Sequence, residues 1–293
     1  MSSPTISVPR ATPADWLELA KPRITAMVGF TAMVGFVTAS PAPPWTALLA
    51  AALAGTGLVA AGASALNQVM ERRTDALMQR TRSRPIPAGR VRPLEASGFG
   101  ALLTAAGLVT LAWRCGLLAA AVAFVTWASY LFAYTPLKRR TPLATLVGAV
   151  PGALPPVIGW AAAGDRLDAG ALILFAIVFL WQIPHFLAIA WLYRDDYARA
   201  GFPMLPVLDR EGRFTARQTV LHSLALLLVS LALPAAGLAG PAYAAGAFLL
   251  GAALTLFALR LARARDLLAA RALFLASVLY LPALWSLLLA ARL

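Results

Sequence analysis

Cysteine occurs once in the 293 residues, at Cys115. No disulfide framework can therefore close within the chain, and the redox compartment stays open. Charge is nearly as scarce: 13% of residues are charged, against roughly 25% in a soluble domain. Hydrophobic residues make up 60% and the mean hydropathy is +0.76, so the chain belongs in a lipid bilayer. The net charge of +13 raises nucleic acid as a partner. The basic residues, however, sit at the ends of hydrophobic runs, where they act as topology signals. With the arginines used in that way, no nucleic-acid partner is expected.

Nine runs approach the ~20 apolar residues that a bilayer crossing needs. They lie at 22–41, 46–66, 96–113, 116–134, 142–161, 169–191, 219–239, 243–262 and 270–290. The expected fold class is an all-α polytopic membrane protein, nine transmembrane helices bundled around a central cavity as a single domain over 1–293. Residues 1–14 read as a flexible tail, and the first run, behind Lys21-Pro22-Arg23, reads as a retained anchor rather than a cleaved signal. With the N-terminus in the cytoplasm, 22 of the 25 Lys and Arg fall inside, leaving only Arg114, Arg166 and Arg292 outside. So large an asymmetry on short loops predicts N-terminus in and C-terminus out. The outside connections near 41–45, 114–115 and 240–242 are short. Two inside loops, 67–95 and 192–218, are long and hold most of the acids, and long loops on a rigid scaffold are where function usually sits.

The first long loop begins with Asn67, Glu71 and Asp75 at four-residue spacing, with Arg80, Arg82 and Arg84 behind. On a helix these three oxygen-bearing side chains share a face. That set suits a hard cation such as Mg²⁺, which takes a few carboxylates plus phosphate oxygens. Arginines beside it are phosphate donors. The second loop carries Asp195-Asp196, either a second metal position or a solvated helix end. His185 falls within a span just after Pro184. Ionisable groups there tend to face the bundle interior and carry function, although a hydrogen bond to the carbonyl freed by Pro184 is the simpler role; His222 is a weaker candidate. Tyr134-Thr-Pro-Leu-Lys138 closes the fourth span, as an interfacial aromatic with inside-positive charge or as a functional pair. Lys138 is one of two lysines against 23 arginines, which favours a role for a compact ammonium. Pro151-Gly-Ala-Leu-Pro-Pro156 must break the fifth span, and a substrate cavity near Gly148 to Gly159 is expected there.

Asn67-x-x-x-Glu71-x-x-x-Asp75, Met78-Gln-Arg-Thr-Arg-Ser-Arg-Pro85 and Tyr134-x-x-x-Lys138 resemble the intramembrane aromatic prenyltransferase (UbiA-type) superfamily. Leu19-Ala-Lys-Pro-Arg-Ile24, Trp181-Gln-Ile-Pro-His-Phe186 and Tyr193-Arg-Asp-Asp-Tyr-Ala-Arg-Ala-Gly-Phe-Pro-Met-Leu-Pro206 narrow the resemblance to its protoheme IX farnesyltransferase family. The resemblance implies farnesyl diphosphate and haem B as substrates and Mg²⁺ as cofactor. The metal would be held by Asn67, Glu71 and Asp75 on one side and Asp195 or Asp196 on the other. Arg80, Arg84 and Lys138 would neutralise the departing pyrophosphate, Tyr134 would line the site, and His185 would contact the haem, at iron in one version. Haem O would be the product, with a downstream haem A synthase or terminal oxidase as its consumer. The implied location is a bacterial inner membrane with the active site facing the cytoplasm. Two departures bear on this. Glu71 stands where aspartate is common in the superfamily, and Pro184-His185-Phe186 stands where quinone prenyltransferases carry an aspartate. The latter favours haem over a quinone precursor or a chlorophyll-like acceptor. A polytopic transporter is the rival from another class, and it would need mid-span charges that are nearly absent here.

Overall fold

The computed structural model describes residues 11–40 and 46–290, and among them every regular element is helical. The order is α1 (Pro13–Ala20), α2 (Pro22–Ala39), α3 (Ala47–Asp75), α4 (Pro93–Arg114), α5 (Leu117–Ala128), a π-helix (Ser129–Tyr134), α6 (Thr135–Leu137), α7 (Ala144–Ala153) and α8 (Pro155–Gly164). There follow α9 (Ala169–Leu192), α10 (Arg194–Arg199), α11 (Leu205–Leu208), α12 (Arg213–Ser230), α13 (Ala232–Ala235), α14 (Pro241–Ala264) and α15 (Leu267–Ala290). Among the described residues nine helices are long and apolar enough to cross a membrane, as the sequence predicts. Their outward leucines and phenylalanines, among them Leu102, Phe132, Leu228 and Leu279, are exposed. In water that would be a liability; against acyl chains it is the expected surface.

Several boundaries differ from expectation. The second span runs past residue 66 to Asp75, so Asn67, Glu71 and Asp75 share a helix, as their spacing suggests, and that helix is the span itself. The seventh begins at Arg213, six residues earlier than hydropathy suggests. Of the expected tail, residues 1–10 lie outside the described residues, while Pro13 and Ala14 open α1. The connection at 41–45, Arg10 and Arg292 also lie outside them.

The fifth span is the most buried, at 67% against 22% for the fourth, so it forms the middle of the bundle. Pro155 and Pro156 lack N–H donors and split it into α7 and α8 at Leu154. Glycine lets α2 and α8 cross backbone to backbone. A Cβ on Gly35 would lie 1.9 Å from the Pro156 carbonyl oxygen, and one on Gly159 1.8 Å from that of Ala32. Small residues at such crossings are how helices pack where no water is squeezed out. The cavity expected near Gly148 to Gly159 is not what these glycines provide. Each admits a neighbour: the Tyr134 ring at Gly148, the Gln182 carboxamide at Gly152 and the Ala32 carbonyl at Gly159.

The connections that follow α3, α6, α9 and α14 meet at one end of the bundle. Arg80 lies over the Tyr193 ring at 5.4 Å, Lys138 over the Phe202 ring at 4.9 Å, and Arg265 Nη1 donates to the Glu211 carbonyl at 3.4 Å. The amphipathic α1 is pinned to the same end. Arg90 Nε donates to Asp15 Oδ1 at 2.7 Å, holding that carboxyl down at about 2, and Gln68 Nε2 donates to the Leu19 carbonyl.

The α2–α8 crossing generates a stability test. Gly159→Ala should lower the thermal unfolding midpoint in detergent, at a cost of ~1–3 kcal/mol for forcing two backbones apart. Gly29→Ala, with no heavy atom within 4 Å of the new Cβ, should leave it unchanged. Equal midpoints for the two variants would mean that α2 and α8 do not approach this closely.

Candidate functional site

The polar end of α3 is buried. Asn67, Glu71 and Asp75 are 3%, 7% and 4% exposed, so the ladder at this helix end faces inward and not to water. A polar side chain in such surroundings must be paired or hydrogen-bonded, and the three find their partners on two other segments, the end of the fourth span and the turns after α3.

Asn67 Nδ2 donates to Thr135 Oγ1 at 2.9 Å, and Thr135 Oγ1 donates in turn to the Tyr130 carbonyl at 2.9 Å. That carbonyl lies in the π-helix, whose cause is visible in the sequence. Pro136 has no N–H and its ring would clash with the backbone one turn earlier, so the helix widens ahead of it. The chain of bonds orients the Asn67 carboxamide and leaves its carbonyl oxygen as the donor atom for a ligand. Glu71 pairs with Lys138 Nζ at 3.1 Å, and Asp75 with Arg84 Nη1 at 2.7 Å. The Asp75 backbone carbonyl accepts from Thr81 Oγ1 at 2.9 Å, which closes the end of α3.

Burial pushes the Lys138 ammonium towards deprotonation, but Tyr134, Glu71 and Tyr197 around it outweigh that and hold it above the ordinary lysine range. Lys138 also lies over the Tyr134 ring at 5.9 Å, and Tyr134 stacks on Tyr130 at 5.6 Å. From the other loop, Tyr197 and Phe202 pack with Met78 of the first. The two acid-bearing loops therefore meet, as their placement in the sequence suggests. The paired aspartates divide: Asp196 is buried and paired with Arg199, whereas Asp195 is exposed.

Lys21 is the residue that sequence reasoning passed over. It sits in the left-handed region at φ 47°, as the C-cap of α1 and the residue before Pro22. Such backbone costs on the order of 1 kcal/mol for a non-glycine residue and clusters at functional sites. Burial, and then repulsion from Arg84, lower its ammonium to about 8, against the attraction of Glu71 and Asp75. Thr135, Tyr197 and Phe202 were also missed. Pro136 was the one available signal, since a proline inside a span announces a distorted helix.

His185 is not part of this charged cluster. Its Nδ1 is 2.8 Å from Ser277 Oγ on α15, and its ring stacks on Trp181 at 4.9 Å. The carbonyl freed by Pro184 is not its partner. His222 is bonded within its own helix, Nδ1 to the Gln218 carbonyl at 2.7 Å.

Among the described residues no group of three or more His, Cys, Asp or Glu gathers closely enough to hold a metal alone. The donor set of one carboxamide and two carboxylates still fits Mg²⁺, which is usually bound through one or two carboxylates plus substrate phosphate. Both of these acids are paired with a Lys or Arg, so an incoming phosphate could take the cations while a metal takes the acids.

The UbiA prenyltransferase family profile matches residues 28–291. A relative from Solibacter usitatus, named protoheme IX farnesyltransferase, is 47% identical over 287 residues, covering 95% of this chain and 98% of its own. A UbiA homologue from Aeropyrum pernix K1 superposes with a TM-score of 0.71 at 20% identity, over 93% of this chain and 98% of its own. Another from Archaeoglobus fulgidus, bound to DMAPP and Mg²⁺, gives 0.68 at 15% identity over 94% and 99%. At those identities the two structures speak for the fold alone.

Proposed function

The chain belongs to the UbiA prenyltransferase family, and on that premise we propose that it transfers the farnesyl group of farnesyl diphosphate to a vinyl group of haem B. The C–O bond to the diphosphate breaks, the allylic carbon bonds to the terminal vinyl carbon, and water adds to the adjacent cation with loss of a proton. The products are haem O, with its hydroxyethylfarnesyl group, and pyrophosphate. The carrying observation is the meeting of the two loops at one end of the bundle, where Asn67, Glu71 and Asp75 face Lys138 and Arg84. The name of the 47% identical relative supports the haem acceptor.

In this reading Arg84 and Lys138 leave their carboxylates for the diphosphate, and Arg80 approaches it from its place over Tyr193. Fixed cations aimed at the charge that grows on a leaving group usually contribute more to such catalysis than any other single effect. Mg²⁺, when bound through Asn67, Glu71 and Asp75, would supply Lewis-acid stabilisation of the same charge. Asp196, buried within the second loop, is the better second ligand, and Asp195 stands at the solvent edge. Tyr134 walls the site above Gly148. The basic face is assigned to the cytoplasm of a bacterial inner membrane, and the whole chain to one domain. Haem O would pass to a haem A synthase or terminal oxidase.

Purified protein with haem B, Mg²⁺ and farnesyl diphosphate should form haem O, detected by mass spectrometry, and chelation should stop the reaction until Mg²⁺ is restored. Asp75→Asn should lower kcat/KM at least ~100-fold, the ~3 kcal/mol expected for a lost metal ligand. Near-normal turnover in a variant with an unchanged melting profile would remove the metal-ladder assignment.

Lys21 adds a pH dependence. Its ammonium is charged below about 8 and neutral above, and the charged form is the one that attracts a diphosphate. Affinity for farnesyl diphosphate should therefore be level below pH 8 and fall as pH rises through it. Lys21→Arg should abolish that fall; a fall that persists in Lys21→Arg belongs to another group.

Cysteines introduced at the exposed positions Ser83 and Glu211 should be shielded from impermeant thiol reagents in intact cells. Gly212 is unsuited to this, because a Cβ there would lie 2.0 Å from the Trp191 ring. Labelling of both sites from outside would invert the proposed topology.

A further inference from the structure

Ser277 lies on α15 against His185 of α9, and its two short contacts together favour one imidazole tautomer. Ser277 Oγ is 2.7 Å from the Phe274 carbonyl oxygen and 2.8 Å from His185 Nδ1. A serine hydroxyl has one proton, and a carbonyl oxygen can only accept. Both contacts are hydrogen bonds at once only when the proton goes to Phe274, so that towards His185 the hydroxyl offers a lone pair. In that arrangement Nδ1 is the N–H donor. In a neutral ring that leaves Nε2 unprotonated, with its lone pair directed away from Ser277.

The surroundings fix the ring as well as the tautomer. Trp181 stacks on it at 4.9 Å with a 20° interplanar angle, and Phe274 packs at 5.3 Å. Trp181 Nε1 donates to the Ser277 backbone carbonyl at 2.8 Å. Ser277 thus holds the histidine with its hydroxyl and the stacking indole with its carbonyl. Among the described residues no protein group is hydrogen-bonded to Nε2, and His185 is only partly buried. No acid of the charged cluster pairs with it.

We propose that Ser277 is a positioning residue that fixes His185 as the Nδ1–H tautomer, so that Nε2 presents its lone pair to the iron of the tetrapyrrole acceptor. A ligating histidine whose other nitrogen donates to a fixed acceptor is the usual second-layer arrangement around a metal, and neutral imidazole is a good haem ligand. The inference rests on the haem reading given above. It assigns a role to a serine in the last span, far in sequence from every motif.

The chain has two histidines, which makes ¹⁵N-histidine NMR of the full-length protein in nanodiscs tractable, with His222→Gln to assign the signals. Haem-free protein should show His185 protonated at Nδ1, and Ser277→Ala should shift it towards the Nε2–H form. A wild-type Nε2–H signal would overturn the proposal. In a haem B titration followed at the Soret band, Ser277→Ala should weaken binding at least ~10-fold, the usual effect of removing such a partner. Ser277→Thr, which keeps the hydroxyl, should bind as wild type does, and His185→Ala should lose the imidazole-ligated spectrum. Unchanged affinity in a stably folded Ser277→Ala protein, or an unchanged spectrum in His185→Ala, would sink the proposal while leaving haem as the acceptor. A wild type that binds no haem B would sink the acceptor assignment and the proposal with it.

Discussion

The inward-facing polar stripe on the last turns of α3 is the constraint from which the rest of that end of the bundle follows. A carboxylate kept from water and left unpaired costs several kcal/mol. Glu71 and Asp75 are not paired within their own helix: four residues away on the same face each meets only the other or Asn67, and Arg72, three before Asp75, donates to the Val69 carbonyl instead. Their partners must therefore come from elsewhere in the chain. Lys138 and Thr135 are delivered by the end of the fourth span, where Thr135 opens α6 directly after the π-helix that Pro136 imposes, and Arg84 by the turns after α3. Once those contacts are made, the first loop and the end of the fourth span are fixed, and the second loop closes over them through Phe202 and Tyr197.

Such a set of pairs is a poor source of stability, since desolvation offsets most of the attraction between the charges. It is well suited to exchange. Each cation can leave its carboxylate for a phosphate oxygen, and the freed carboxylate can turn to a metal, so no charge is left unpaired at any stage. In the proposed reaction that exchange would account for cations drawn from loops and helix ends while the acids stand on a long, rigid helix. It also explains why no all-carboxylate cage is needed among the described residues, for a diphosphate would bring the remaining oxygens itself.

The nine spans and the alignment of Asn67, Glu71 and Asp75 were legible because both depend on local periodicity, which a sequence states directly. The extension of the second span to Asp75 was hidden, since hydropathy reports where apolar residues stop and not where the helix stops. Charged residues continue a helix when other segments cover them. The π-helix was foreshadowed by Pro136, but its use in orienting Asn67 through Thr135 spans 68 residues of sequence, and no periodicity carries that. In the sequence Lys21 shows only as a topology charge and part of a motif, because a left-handed lysine between two short-linked helices is a tertiary fact. Asp195 and Asp196 are adjacent, and only the packing of α10 decides which one turns inward.

Depth along the helices connects the two halves of the proposed reaction. Asn67 lies eight residues before the end of α3 and His185 seven before the end of α9. At 1.5 Å per residue both stand ~10–12 Å inside their helix ends, whereas Asp75 and Asp196 stand at the rim. A diphosphate bound among the rim charges, with its prenyl chain running inward, would bring its reactive carbon towards the level of Asn67. A tetrapyrrole whose iron meets His185 Nε2 would lie at that same level, in surroundings built from Trp181, Phe186 and Phe274. Charge at the rim and aromatic rings at depth separate the step that must stabilise an anion from the step that must shelter a cation from water. One bundle can meet both demands because they fall at different heights on the same helices.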